Sequence, residues 1–168
     1  MSTASTRPLS LLRVDFHDLY ARHLCRHSQV GINVAHLVAL FGTWYAVYGV
    51  VYWLCRAEWV VIALAAAYWV VVAANVPARV AAACAAFLTV FVATCLWLPE
   101  LPLWAYLIMV PVFYKLQAWT HRVWTVERDM TEFNQRYPKG FTLFVVLLFY
   151  EVPIVLQYLL FGRCDGAA

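Results

Sequence analysis

The chain has 168 residues, of which 65% are hydrophobic and only 12% charged, with a formal net charge of +3. That balance lies far outside the range of soluble globular proteins, because one soluble domain cannot hide so much apolar surface. It points to an all-α, polytopic membrane helix bundle forming a single domain over residues 1–168, and its small positive charge reports contact with anionic headgroups and gives no sign of nucleic acid.

Residues 9–30 read as an interfacial amphipathic helix. Leu12, Phe16, Leu19 and Leu24 recur near helical spacing, with Arg13, Asp18, Arg22 and Arg26 between them. Ser10 or Asp15 can cap it, and Gly31 is a natural break before the next element. The N-terminal stretch lacks the apolar core of a cleaved secretory signal, so the first span is expected to serve as the insertion signal.

Five apolar runs then approach the roughly 20 residues that a bilayer span requires. They are Ile32–Leu54, Trp59–Val76, Val80–Leu98, Leu101–Trp119 and Phe141–Phe161. The links Asn75-Val-Pro77 and Leu98-Pro-Glu-Leu-Pro102 are short and predict antiparallel neighbours. Pro111 predicts a kink in the fourth span. Thr120–Gly140 is a polar cytosolic loop, partly helical on the evidence of its Glu132/Arg136 pair. With the N-terminus in the cytosol, all of the 12 Lys and Arg residues except Arg56 and Arg163 fall inside, as the positive-inside bias predicts. The cysteines, Cys25, Cys55, Cys84, Cys95 and Cys164, form no CxxC and read as small apolar fillers. Trp53, Trp59, Trp97, Trp104, Trp119 and Trp124 read as interfacial belts.

Few residues in such a chain can do metal or acid–base chemistry, and four of the 5 histidines gather at one predicted membrane face. His23 and His27 are spaced i,i+4, which puts both rings on one helix face and lets two imidazoles hold one ion. Tyr20 shares that face. His36 opens the first span, and the topology brings His121 to the same side, with Gln117 one turn earlier. Imidazole suits Fe, Zn, Cu or Ni, so the donor set alone does not name the metal. The plainer reading is a set of interfacial polar residues, and His17, off the shared face, is assigned to it.

Glu151 lies deep in the last span, where a carboxylate is costly and should face the interior, be protonated, or pair. It can relay a proton, touch substrate or support a histidine, or it can simply bond backbone freed by Pro153. Asn33 and Gln157 read as hydrogen-bonding glue between helices. Glu127, in the loop, can supply a carboxylate to a histidine centre, although a solvated loop helix explains it equally simply.

Taken together, the run Tyr20-x2-His23-x3-His27-x5-Asn33-x2-His36-x5-Gly42, followed by Gln117-x3-His121-x5-Glu127, resembles the fungal 2-hydroxy-fatty-acid dioxygenase family and its bacterial relatives. The resemblance covers residues 16–45 and 114–130. The family typically has adjacent histidines and three residues between Asn and His, where this chain has His23-x3-His27 and Asn33-x2-His36. The resemblance implies an iron(II) enzyme of fatty-acid α-oxidation, with His23, His27, His36 and His121 as the metal site.

The sequence therefore leads to an expected metal-dependent oxidoreductase, with iron(II) as cofactor, acting on a lipid or fatty-acyl substrate at the cytosolic leaflet. Glu151, Tyr20 and Glu127 are the candidate catalytic residues. Arg22, Arg26 or Arg122 can pair with an anionic headgroup. Two other classes stay open: a non-catalytic membrane scaffold or lipid-binding protein, and a small proton-coupled carrier using Glu151. A homo-oligomer is also left open.

Overall fold

A computed structural model of the chain describes residues 10–24, 27–124, 137 and 140–162. It is all-helical: α1 (Phe16–His23), α2 (Val30–Cys55), α3 (Glu58–Ala73), α4 (Ala78–Trp97), α5 (Leu103–Trp124) and α6 (Phe141–Leu156), with α6 continued by a π-helical turn over Gln157–Phe161. The interfacial helix expected over 9–30 is shorter than its amphipathic pattern. Asp15 caps α1 by accepting from the Asp18 amide at 3.0 Å, and the helix ends at His23.

Three helices are long and apolar enough to cross a membrane: Val30–Cys55, Ala78–Trp97 and Phe141–Phe161. The helix α3 has 16 residues, which at the α-helical rise is about 24 Å and short of a hydrocarbon core of about 30 Å. The helix α5 has 22 residues but carries Lys115, Gln117, His121 and Arg122, and it does not join the apolar three. Val34, Val38 and Val47 of α2 and Val90 of α4 turn outward, as expected of faces that meet lipid.

The tightest pairing is α2 against α5, and glycine makes it possible. A Cβ at Gly42 would overlap the Phe113 ring, and one at Gly49 would overlap Tyr106. A Cβ at Gly31 would come within 2.7 Å of the Trp124 indole. Each step up α2, from Gly31 to Gly42 to Gly49, is matched by an equal step down α5, from Trp124 to Phe113 to Tyr106. The two helices are therefore antiparallel in fixed register, with an α5 ring seated over each α2 glycine. Gly31 is thus a packing position inside α2, and Trp124 a packed ring as well as a belt residue; the chain break falls earlier, between His23 and Val30.

The short links behave as read. Asn75 closes the α3–α4 turn through its Nδ2 to the Val71 carbonyl at 2.8 Å, and its Oδ1 accepts from the Val14 amide at 3.1 Å. At the other end, Arg56 adopts a left-handed conformation (φ 53°) as the α2 C-cap and pairs with Glu100 of the α4–α5 link. Pro111 sits inside α5, which runs through it as one helix. Cys84 is buried, Cys95 half-buried and Cys55 exposed, all three as free thiols.

The last helix departs from the alternating bundle. The Tyr137 hydroxyl, before α6, donates to Asp18, and the Gly162 carbonyl, after the π turn, accepts from the Tyr20 hydroxyl at 2.9 Å. Both flanks are thus tied to α1. The step from Ser28, just before α2, to His36 within it is mirrored by the step from Tyr158, which bonds the Ser28 carbonyl at 2.7 Å, back to Glu151, which meets His36. So α6 runs antiparallel to α2, in the same sense as α5, where five alternating spans would set α5 and α6 in opposite senses. The physical reason is local: α1 packs Phe16, Leu19 and Tyr20 into the same core as Leu143, Val146 and Tyr150, which holds α6 against α1.

Candidate metal centre

The histidines converge, though not by the expected route. His23 is the last residue of α1 and His27 lies beyond it, in the link to α2. Their rings nevertheless stack in parallel, with centroids 4.0 Å apart and an interplanar angle of 5°. The pair is not carried on one face of α1, which ends at His23.

Asn33 holds the chain at His27 and Gln29. Its Nδ2 donates to the His27 carbonyl at 2.7 Å and to the Gln29 carbonyl at 2.8 Å. The residue is fully buried, and bonding two carbonyls of the link makes it a clamp on the chain at His27, not the glue between helices that its position suggested.

His36 projects from the second turn of α2 and is fully buried. Its Nδ1 lies 2.9 Å from Glu151 Oε1. That oxygen also accepts from Gln117 Nε2 at 2.7 Å. One carboxylate oxygen thus joins α2, α5 and α6, and the Glu151 side chain is only 12% exposed. Its polar partners, His36 and Gln117, come from other helices and not from backbone freed by Pro153. With the Nδ1 proton directed at Glu151, His36 is set in the tautomer whose Nε2 carries a lone pair.

His27, His36 and His121 form a near-equilateral set. Their ring centroids are 4.6, 4.9 and 4.8 Å apart, with interplanar angles of 77°, 78° and 88°. Donor atoms of the three lie within 4.8 Å of one another, as do those of a second group, His23, His27 and Glu151. His27 Nδ1 and Nε2 and His36 Nε2 are buried with no hydrogen-bond partner among the described residues. Orphaned imidazole nitrogens pointed at one another are costly unless a cation takes their lone pairs. Burial, followed by the neighbouring imidazoles of His23, His36 and His121, pushes the His27 pKa far below the usual histidine range. The ring is neutral and ready to bind a metal.

His23, His27 and His121 open on a cavity of about 840 Å³ between α2, α5 and α6, with His36 behind its lining. Gln117 and Glu151 line it with them, while Leu40, Trp44, Val110, Pro111, Phe144, Leu147 and Leu148 form the apolar remainder.

Of the other candidates, Tyr20 is buried in the core, with its hydroxyl donating to the Gly162 carbonyl, and it does not line the cavity. Glu127, Arg26 and the loop pair Glu132/Arg136 lie outside the described residues. His17 is exposed and packs its edge on Phe16, in keeping with an interfacial role. Sequence reasoning placed Gln117 near the site but assigned it no partner; its i,i+4 spacing from His121 was the available signal.

Compared with known family models, curated proteins and solved structures, the chain matches none. Any functional reading therefore stands on the site itself.

Proposed function

We propose that this chain is a membrane-embedded, metal-dependent oxidoreductase acting on a fatty-acyl or lipid substrate, with iron(II) as the metal. The observation that carries this reading is the His27/His36/His121 triangle, two of whose rings line a mostly apolar cavity. Ring nitrogens held about 2.1 Å from one ion place ring centroids about 3.2 Å from it. Three such rings at right angles are then about 4.5 Å apart, and at tetrahedral angles about 5.2 Å. The separations of 4.6 to 4.9 Å fall between those two sets, so the three rings would suit one shared ion, and the choice of iron(II) rests on the resemblance of the sequence pattern to an iron(II) dioxygenase family.

Each residue then has a task. His27, His36 and His121 would hold the ion, and an iron(II) centre supplies one-electron and dioxygen chemistry when bound. Glu151 orients His36 and raises its basicity by accepting the Nδ1 proton, and Gln117 keeps that carboxylate from turning. His23 stands against His27 with Glu151 in reach, placed to meet a polar substrate head. The apolar wall receives the acyl tail and excludes water.

The same geometry argues against a carrier built on Glu151 alone, because its oxygen is already committed to His36 and Gln117. We place α1 and the histidines at the cytosolic face. Arg13, Arg79 and Arg122 sit at that end, and Arg56 lies at the other.

The test is oxygen uptake by the purified chain, loaded anaerobically with iron(II) and offered 2-hydroxy acyl substrates. Substrate-dependent uptake with release of a chain one carbon shorter supports the reading. No uptake from an iron-loaded protein overturns the oxidoreductase assignment, whichever metal the site accepts.

A further inference from the structure

A second hollow of about 560 Å³ opens on the flank of the bundle between α2, α4 and the last helix. It shares no lining residue with the histidine cavity. Ala83, Ala86, Val90 and Leu160 are among its apolar lining, with Phe113, the ring seated over Gly42, on the α5 side. Along α4, Ala83, Ala86 and Val90 fall on one helical stripe, and Arg79 stands on that stripe one turn before Ala83.

Arg79 is exposed, and its guanidinium lies 5.1 Å from the ring of Phe161, the residue after Leu160 of the wall. No carboxylate pairs with it among the described residues. An apolar hollow thus lies one helical turn from an unneutralised planar cation that is held against an aromatic face.

We propose that this hollow binds one anionic phospholipid, with the phosphate on Arg79 and one acyl tail along α4. Guanidinium matches phosphate in a two-point hydrogen bond that an ammonium does not offer. From Arg79 to Val90 the helix rises about 16 Å, enough for most of one tail. A helix from a second copy fits less well, because its apolar side chains would cover the guanidinium and supply no counter-charge. Basic pockets between helices are where headgroups of this charge are read. The inference requires only that α2 and α4 lie in a bilayer, and it does not depend on the metal reading.

The experiment is native mass spectrometry of the detergent-purified chain with equal amounts of phosphatidylglycerol and phosphatidylcholine bearing the same tails. One phosphatidylglycerol should be retained several-fold over phosphatidylcholine. Arg79→Gln should bring that ratio to about one. Ala86→Trp, which fills the trough from an exposed position, should lose both lipids, and Val90→Trp repeats the test at a second exposed site. Thermal unfolding and metal content, read on the same samples, show that the variants are folded and that the histidine site is untouched. Equal retention of the two lipids by the parent overturns the proposal, as does full retention by both Trp variants. A parent dimer that Ala86→Trp splits would also overturn it and assign the trough to a second copy.

Discussion

His36 Nδ1 and Glu151 Oε1, 115 residues apart in sequence, meet at 2.9 Å in the middle of the bundle. The pair joins a buried imidazole to a carboxylate that Gln117 also holds. It is the arrangement by which proteins orient a metal-binding histidine: the carboxylate takes one ring proton and leaves the opposite nitrogen to the ion.

Glu151→Gln keeps the volume and removes the charge. The amide still accepts a hydrogen bond, but His36 becomes a weaker donor to the metal. We expect metal affinity to fall about 10- to 100-fold, with little loss of thermal stability. Metal titration of the apo protein reads the affinity, and unchanged affinity would show that Glu151 serves packing alone.

Asn33 touches no metal in this account, yet it clamps the His27 carbonyl. Asn33→Leu leaves the His27 carbonyl without its donor and the Gln29 carbonyl with only the residue-33 backbone amide, which loosens the chain at His27. A loss of about 1–3 kcal/mol in stability is expected, together with weaker metal binding although every ligand is still present. Normal binding in a destabilised variant would separate the clamp from the site.

The seating of Phe113 over Gly42 leaves no room for a Cβ. Gly42→Ala should cost about 1–3 kcal/mol through overpacking, seen as a lower unfolding temperature in detergent. Shortening the ring in Gly42→Ala/Phe113→Leu should recover much of it. Failure of that rescue would mean that the helices are held in register by other contacts.

For the metal-free protein, pH sensitivity follows from His27. Burial and the adjacent imidazoles hold its folded pKa far below the ordinary value of 6.5. The unfolded chain takes up a proton as pH falls through about 6.5 and the folded chain does not. Above that pH the group contributes nothing to stability. Below it, stability falls by up to about 1.4 kcal/mol per pH unit from this group. Thermal unfolding at pH 7.5 and 5.5 checks this, and His27→Leu should flatten the dependence.

How much of this was legible depended on how far apart the partners lie in sequence. His23 and His27 are four apart, and membrane topology alone put His36 and His121 beside them, so the cluster could be read before any coordinates. Glu151 announced itself by its cost in an apolar helix, but its partner could not be read. That pairing depends on the register of α6 against α2, which tertiary packing sets. The direction of α6 was misjudged for a related reason. Hydropathy identifies an apolar helix but does not report that Tyr137 and Gly162 both bond to α1. The glycines of α2 carried a packing signal at 31, 42 and 49 that becomes readable only when α5 is laid against them in the opposite sense.

The most direct test is metal content of the detergent-purified protein after anaerobic loading with iron(II), beside His27→Ala and His121→Ala variants of matched thermal stability. The account predicts close to one ion per chain in the parent and near-complete loss in both variants. A parent that retains no metal, or variants that retain as much as the parent, would contradict the claim that His27, His36 and His121 form a metal centre.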